Sequence, residues 1–495
     1  MSDRPLRAFQ KRVFLVAVVL HAIAAWFSSG YYADDEHYQV IAFAQQRLGE
    51  LPGYEMPWEY EAHIRSALLP SVAYMAIRAC RAWLSSDPFI IAFLLRAITA
   101  VCALFVVRRF IDAALPMVKL EHQRLFIALS WCLWFLPYQH VRFASETWSG
   151  LLFVLGLSTV LSRSSSARSM VTVGLCFGLS TLVKPAMGIA CMSVCLWWVL
   201  GSVDRRRLSV LLIAGLLLAL IAGSVVDAWF YKGFYPALVN YARMAISGDA
   251  PRSFEVHPWY SYLPWTIKYA VWPIGALLVA ALLWSTYRAP RSLLVWCIWP
   301  YLIALSIVPH KELRFLFPLA DLSPLLLVLA LQALGESALA RMMTRPGVLV
   351  PLIAINACGL FVSATTAAGS GRTRLAETLW RNVTGRSTSI GYDFEDDLIW
   401  KARIPSFYLP TGVGDVGICD PCSPANALAG TPTAELLVVQ ESYDSSCTPE
   451  ALGYRPLIRS ESELATQFLD LYNSERPRPY VLHAHEARTS RPSEP

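Results

Sequence analysis

Residues 293–334 read LLVWCIWPYLIALSIVPHKELRFLFPLADLSPLLLVLALQAL. Two apolar runs, 293–308 and 315–334, flank the charged string His310-Lys311-Glu312-Leu313-Arg314. A run of about 17 to 25 apolar residues can cross a bilayer, and a shorter one can do so when other helices enclose it. The charges then lie where two crossing helices meet the water boundary. Taken alone, such a string is either a solvated helix end whose Lys and Arg meet lipid phosphates or a functional cluster.

The same pattern recurs along the chain. Its 495 residues are 55% hydrophobic, with 17 Trp and a mean hydropathy of +0.44, which excludes an ordinary soluble globule. Further apolar runs cover 13–29, 88–107, 125–137, 149–161, 170–183, 187–201, 208–230, 264–284 and 348–366. With the first two they predict an all-α polytopic membrane protein of about 11 transmembrane helices. The net charge of +6 comes from Lys and Arg in short loops between these runs, a pattern of membrane topology and not of nucleic-acid binding.

Arg4, Arg7, Lys11 and Arg12 precede the first run, which places the N-terminus in the cytoplasm and Asp35 on the far side. That run is long enough for a cleaved signal peptide, but Ser28-Ser29-Gly30 leads directly into an acidic segment, which favours a retained span. Later basic clusters at Arg108-Arg109, Lys119 and Arg124, Arg163 and Arg168, Arg205-Arg206-Arg207, Arg288 and Arg291, and Arg341 and Arg345 all become cytoplasmic on one condition. Ala67–Leu84 must not cross. Its Pro70, Arg78 and Arg81 suit an amphipathic helix in the interface. The expected organisation is a transmembrane module over 1–368, with a first extracytoplasmic loop at 31–87, and a small mixed α/β extracytoplasmic domain over 369–495. In that domain ELLVVQ (435–440) and YVLHA (480–484) read as strands, with turn-rich sequence near 411–424.

This topology gathers the chemically capable residues on one face. They are Asp34, Asp35 and Glu36; Trp58, Glu59 and Arg65; His140, Arg142 and Glu146; Lys184; Arg243, His257 and Trp259; and the 310–314 string. Three carboxylates in a row at a membrane rim cost free energy unless they are wetted, paired or functional, and a hydrated acidic loop is the plainest reading. Asp34, Asp35, Glu36 and Glu59 hold enough oxygen for a divalent ion, yet no His-rich or Cys-rich spacing marks a site, so no metal and no cofactor are expected. Trp58, Trp259 and Tyr260 either stack on sugar faces or belong to an aromatic belt. Of 11 Cys, eight lie in or beside apolar segments, while Cys419, Cys422 and Cys447 in the tail suggest one structural disulfide and one free thiol. Asn382-Val383-Thr384 is a glycosylation sequon.

Several of these stretches, in this order, resemble motifs of glycosyltransferase family 22, the lipid-linked mannosyltransferases. HKELRFLFP resembles the family's His-Lys-Glu-x-Arg-Phe signature, ADDEHYQ (33–39) its first-loop Pro-Asp-Glu-x-x-Gln, and WEYEAHIRS (58–66) its Trp-Glu-aromatic and Arg-Ser pair. Lys184-Pro185-Ala186 resembles Arg-Pro-Thr-Ala, and DAWFY (227–231) and HPWYSY (257–262) resemble parts of the middle loop. The likeness is greatest to the GPI-anchor mannosyltransferases. Departures are Asp34 for Pro, Lys184 for Arg and Leu313 for a frequent second Glu.

The resemblance implies a GT-C type helical bundle that moves a hexose, mannose in this family, from a polyprenyl-phosphate carrier of the dolichol type. The acceptor would be a hydroxyl of a glycan or glycolipid, and transfer would invert configuration. Asp35 is the implied general base, with Glu36 its nearest competitor. His310, Lys311, Arg314, Lys184 and His257 would hold the donor phosphate, and Trp58, Glu59, Arg65, Glu312 and Trp259 the acceptor side. The enzyme would be a multi-pass protein of a bacterial inner membrane or the endoplasmic reticulum, its site on the periplasmic or lumenal face. A lipid-linked sugar transporter or flippase is the rival class, but the chain shows no internal repeat and its charges gather at one face. The same chemistry with another sugar also fits.

The topology is testable with fused reporters. A reporter after Arg109 or Arg207 should lie in the cytoplasm and one after Pro495 on the far side. A far-side signal at Arg109 would mean that Ala67–Leu84 crosses and that the first loop is misplaced.

Overall fold

The computed structural model describes residues 4–52, 55–162, 166–201, 203–247, 255–343, 345–383, 387–393, 404–410, 412–418, 435–441, 449–472 and 479–485. The chain forms two compact units. One comprises Met1–Trp26, Pro57–Arg78 and Leu94–Thr365, the other Phe27–Met56, Ala79–Phe93 and Thr366–Pro495.

The first unit is helical. Among the described residues of the chain, Arg4–Phe27, Pro88–Met117, Ser209–Tyr231, Leu313–Leu334 and Pro346–Thr365 are long and apolar enough to cross a membrane. Ile274–Arg288 and Leu293–Ile307, bent by 117°, make a sixth if they form one broken span. Ser145–Leu161, Ala167–Val183 and Met187–Gly201 are apolar but shorter. Every apolar run expected to cross falls in helix, but three are shortened or broken. Run 125–137 is a helix only over Gln123–Cys132, and run 264–284 is split into Tyr262–Tyr269 and Ile274–Arg288. Run 315–334 begins as a 3-10 stretch, Leu313–Leu322, containing Pro318, and continues as the α-helix Ser323–Leu334. Proline lacks the amide hydrogen that an α-helical turn requires, so the tighter winding around Pro318 has a local cause. Leu68–Trp83 is amphipathic, with Ala73 and Ile77 buried and Arg78 and Arg81 exposed.

Without water between them, membrane helices associate through close packing, which favours small residues at the crossing. Helix Ala167–Val183 carries Gly174 and Gly178, and helix Val203–Tyr231 carries Gly215, Ala219 and Gly223 at the same four-residue spacing. A Cβ on Gly174 would stand 2.0 Å from the Leu212 carbonyl oxygen, and one on Gly215 2.3 Å from that of Val171. The two backbones touch. Phe177 of the same helix stacks on Phe153, ring centroids 5.6 Å apart, so this helix is also packed against Ser145–Leu161.

The second unit contains a five-stranded mixed sheet of β1 (Thr388–Asp393), β2 (Val413–Ile418), β3 (Leu436–Gln440), β4 (Tyr454–Arg459) and β5 (Tyr480–His485), in the order β2-β1-β3-β5-β4. β1 is parallel to β2 and β3, while β5 is antiparallel to β3 and β4. The central β3, Leu-Leu-Val-Val-Gln, is buried over its first four residues, as a continuous apolar run between neighbouring strands should be. The expected strands at 435–440 and 480–484 are therefore β3 and β5. Helices Arg372–Val383 and Glu463–Tyr472 accompany the sheet. The eight described cysteines are unbridged. Cys419, Cys422, Cys447 and Thr384 of the sequon lie outside the described residues.

The glycine crossing makes a direct prediction. Gly174→Ala forces a methyl group into a carbonyl oxygen and should cost roughly 1–3 kcal/mol by overpacking, read as a lowered midpoint of thermal unfolding in detergent. An unchanged midpoint would mean that the helices can separate without loss.

Candidate active site

In the first unit, Glu146 stands in the first turn of helix Ser145–Leu161, where the exposed amide ends of a helix favour a carboxylate. Lys184 directly follows the last turn of helix Ala167–Val183, where a cation is favoured for the complementary reason. The Lys184 Nζ donates to Glu146 Oε1 at 2.6 Å, and Nη1 of Arg314 approaches the same oxygen at 3.7 Å. All three residues are less than a tenth exposed. Arg314 also grips Glu312 in a two-pronged pair, donating from Nε at 2.5 Å and from Nη2 at 2.7 Å. His310 Nε2 lies 3.0 Å from Glu312 Oε1. Phe315 lies beneath both cations, its ring centroid 4.7 Å from Lys184 Nζ and 5.5 Å from the Arg314 guanidinium carbon.

The loop between the two apolar runs is thus held by charge. Burial acts to raise the Glu312 carboxyl, but hydrogen bonds from His310 and Arg314 and their charges outweigh it and hold the carboxyl well below the usual range. The hydrogen bond to Glu312 in turn raises His310, against the effect of burial. Lys311 is turned inward, 2% exposed, and donates to the carbonyl oxygens of Val308 at 2.5 Å and His257 at 3.1 Å. A bridge between Val256 and His310 and a bond from the His257 amide to the Pro309 oxygen join the middle loop to this string. HPWYSY and HKELR therefore meet through backbone, with Lys311 as a brace. The His257 ring packs edge-on to Trp265.

The WEYEAHIRS and DAWFY motifs also meet. Asp227 accepts from the Ser66 hydroxyl at 2.9 Å and the Ala67 amide at 2.7 Å, and the Tyr231 hydroxyl donates to the Arg65 carbonyl at 2.9 Å. Arg65 lies 3.9 Å from Glu59, and its charge is also felt at Lys184. Trp58 is half-buried, whereas Trp259 is 71% exposed.

In the second unit, Asp34, Asp35 and Glu36 form the first turn of the five-residue helix Asp34–Tyr38. Asp34 pairs with Arg372 at 3.0 Å, and the guanidinium lies over the Tyr31 ring at 5.3 Å. Asp35 and Glu36 are half-buried beside this pair. His37 is buried among Tyr31, Tyr38, Phe407 and Tyr408, and burial, followed by the Arg372 charge, lowers its pKa to about 3. At neutral pH it is an uncharged packing element behind the acidic turn.

A model of the Alg9-like mannosyltransferase family matches residues 12–375. The chain belongs to that family. It is accordingly a membrane glycosyltransferase. A search of curated proteins finds no match. Among solved structures the chain is similar to ArnT from Cupriavidus metallidurans in the apo state, with a TM-score of 0.53 and 15% identity, covering 99% of this chain and 100% of that one. ArnT bound to undecaprenyl phosphate gives a TM-score of 0.52 at 14% identity with the same coverage. At this identity the likeness shows the fold alone, that of GT-C glycosyltransferases.

Sequence reasoning noted Glu146 on the far face but gave it no role, and it treated Asp227 only as part of a motif. Both are acids at the end of an apolar run, which is the signal that marks them. Among the described residues no group of three or more His, Cys, Asp or Glu is placed to hold a metal ion. Removing the shared carboxylate should be severe, because Glu146→Ala leaves two buried cations facing each other. A loss of about 3–5 kcal/mol is expected, measurable as unfolding in detergent, and native stability would show that the cations do not depend on Glu146.

Proposed function

We propose that the protein moves mannose from a polyprenyl-phosphate carrier to a hydroxyl of a lipid-linked or glycan acceptor, with inversion at the anomeric carbon. The carrying observation is that Lys184 and Arg314, 130 positions apart in two separate family motifs, converge on a single buried carboxylate. Breaking the bond from sugar to phosphate gathers negative charge on the phosphate oxygens, and fixed buried cations stabilise that charge without reorganising. Lys184 and Arg314 supply it, with His310 and Arg65 as further donors. Lys311 and His257 shape the loop that carries them, and Glu312 aims Arg314. Membership of the Alg9-like mannosyltransferase family supports mannose as the sugar, and a fold shared with a protein solved with undecaprenyl phosphate bound supports a carrier of this kind.

The attacking hydroxyl needs a group to take its proton, and a half-buried carboxylate can do so. Asp35 has that role in this reading. Its neighbour Asp34 is engaged by Arg372, which favours a structural part for Asp34. Glu59 and Trp58 belong to the acceptor side, and exposed Trp259 to the lipid or acceptor face. Shorter helices enclosed by neighbours bring the membrane crossing to about eleven spans, with the reaction on the periplasmic or lumenal face and the 369–495 region on that same face.

Incubating purified enzyme with polyprenyl-phosphate mannose tests the assignment. Asp35→Asn should bind donor normally and lose transfer by roughly 10²- to 10⁴-fold. Glu36→Gln should lose less, and Asp34→Asn should affect stability more than turnover. An active Asp35→Asn beside an inactive Glu36→Gln would move the role to Glu36, and two active enzymes would leave the acidic turn structural.

A further inference from the structure

Three ionisable groups outside the proposed chemistry form a continuous line through the interior of the first unit. His21, in helix Arg4–Phe27, is 1% exposed, His140 is 2% exposed, and Asp321, near the end of the 3-10 stretch Leu313–Leu322, is 9% exposed. His21 Nδ1 lies 2.7 Å from the Ala17 carbonyl oxygen, its Nε2 lies 2.9 Å from His140 Nδ1, and His140 Nε2 lies 2.8 Å from Asp321 Oδ1. The two imidazoles are nearly parallel, 16° between planes.

The geometry fixes how many protons this line holds. A carbonyl oxygen only accepts, so His21 Nδ1 must carry a hydrogen. With a His140 imidazolate excluded, the remaining two contacts are both hydrogen bonds in three arrangements: a neutral pair of histidines with protonated Asp321, a His140 imidazolium with an Asp321 carboxylate, or a His21 imidazolium with a neutral His140 and the carboxylate. Each contains the same number of protons and has zero net charge. Removing one proton sets two lone pairs against each other or leaves a bare carboxylate, and both are costly in a low-dielectric interior.

We propose that Asp321, His140 and His21 are a hydrogen-bond chain, with one proton in each of its two internal contacts, that positions the Leu313–Leu322 segment, and with it Arg314, for the donor phosphate. This rests on the phosphate reading given above. His140 and Glu146 lie six residues apart on one loop and helix start, while Asp321 and Arg314 lie seven apart on the facing segment. The pairs His140–Asp321 and Glu146–Arg314 thus clamp the same two pieces of chain at both ends. Four residues beyond Glu146, a Cβ on Gly150 would stand 2.7 Å from the carbonyl oxygen of Pro318, which lies between Arg314 and Asp321, so the backbones already touch. Release of the Asp321 end transmits to Arg314, since the segment has no slack in which to absorb a shift.

The test uses the full-length enzyme in lipid with polyprenyl-phosphate mannose as donor. Asp321→Leu should raise the donor KM roughly ten- to hundredfold with a smaller change in kcat. Asp321→Asn should restore the KM to within a few fold, because its amide can donate to the bare Nε2 of His140. A native KM in Asp321→Leu, or equal impairment in Asp321→Asn, overturns the proposal. Arg314→Ala is measured alongside: if it leaves donor KM unchanged, the phosphate reading fails, whereas an impaired Arg314→Ala beside a native Asp321→Leu fails the chain alone. If Asp321→Leu does not fold, the native protein still decides. Nitrogen-15 spectra of ring-labelled histidine, with His21 assigned by its loss in His21→Asn, should show a hydrogen on His21 Nδ1 at neutral pH, and a bare Nδ1 there refutes the chain.

Discussion

One carboxylate serving two buried cations is the interaction on which the helical unit of this protein depends. Lys184 and Arg314 are both withdrawn from water, and Glu146 stands between them. Taking a charge out of water costs several kcal/mol per ion, even after the protein relaxes. The three groups therefore come together or not at all. Since they arise at a helix start, a helix end and an inter-helical loop, satisfying them fixes three segments at one point. Glu312, gripped in two places by Arg314, balances the second cation, so two cations and two carboxylates meet at this point.

Such an arrangement requires a scaffold that does not yield. The helix that ends at Lys184 is held on one side by the glycine crossing at Gly174 and Gly178, backbone against backbone. On its other side the Ser180 hydroxyl donates to the Ser149 carbonyl oxygen at 2.8 Å, three residues from Glu146. Lys184 is therefore located relative to Glu146 by packing as well as by charge. Small residues and a single hydroxyl achieve in an apolar surrounding what a larger hydrophobic core does in water.

The membrane class and the helices were legible because long apolar runs admit few alternatives. The HKELR string was also legible as a cluster of paired groups, since four polar residues around Leu313 between two such runs need partners. The number of crossings was not fixed by composition. Helices such as Ser145–Leu161 and Met187–Gly201 are shorter than an isolated span requires, and only enclosure by neighbours compensates. Lys311 illustrates a second limit. Its sequence position suggests a phosphate ligand, yet its ammonium is used on two carbonyl oxygens of adjoining loops, a choice that depends on where residues 257 and 308 arrive in space. The strands β3 and β5 declared themselves by β-branched and apolar runs, whereas β1, with Ser389, Gly391 and Asp393 in six residues, carries little of that signal.

The buried acids of the first unit show why partners, and not residue types, decide what a charge in an apolar setting does. Glu146 is matched by cations and stays charged, which preserves a field. Asp227 is matched by a hydroxyl and an amide, neutral donors that tie the Arg65 turn to helix Val203–Tyr231. Asp321 is matched by an imidazole whose other nitrogen is already engaged, so the acid and its partners share protons with no net charge. In sequence these three look alike, each an acid within or beside an apolar run. The cost of desolvating a carboxylate forces each to find a partner, and the partner's own chemistry then determines whether the result is a charge, a tie or a proton-sharing line. A single physical penalty has thereby been resolved in three ways within one helical bundle.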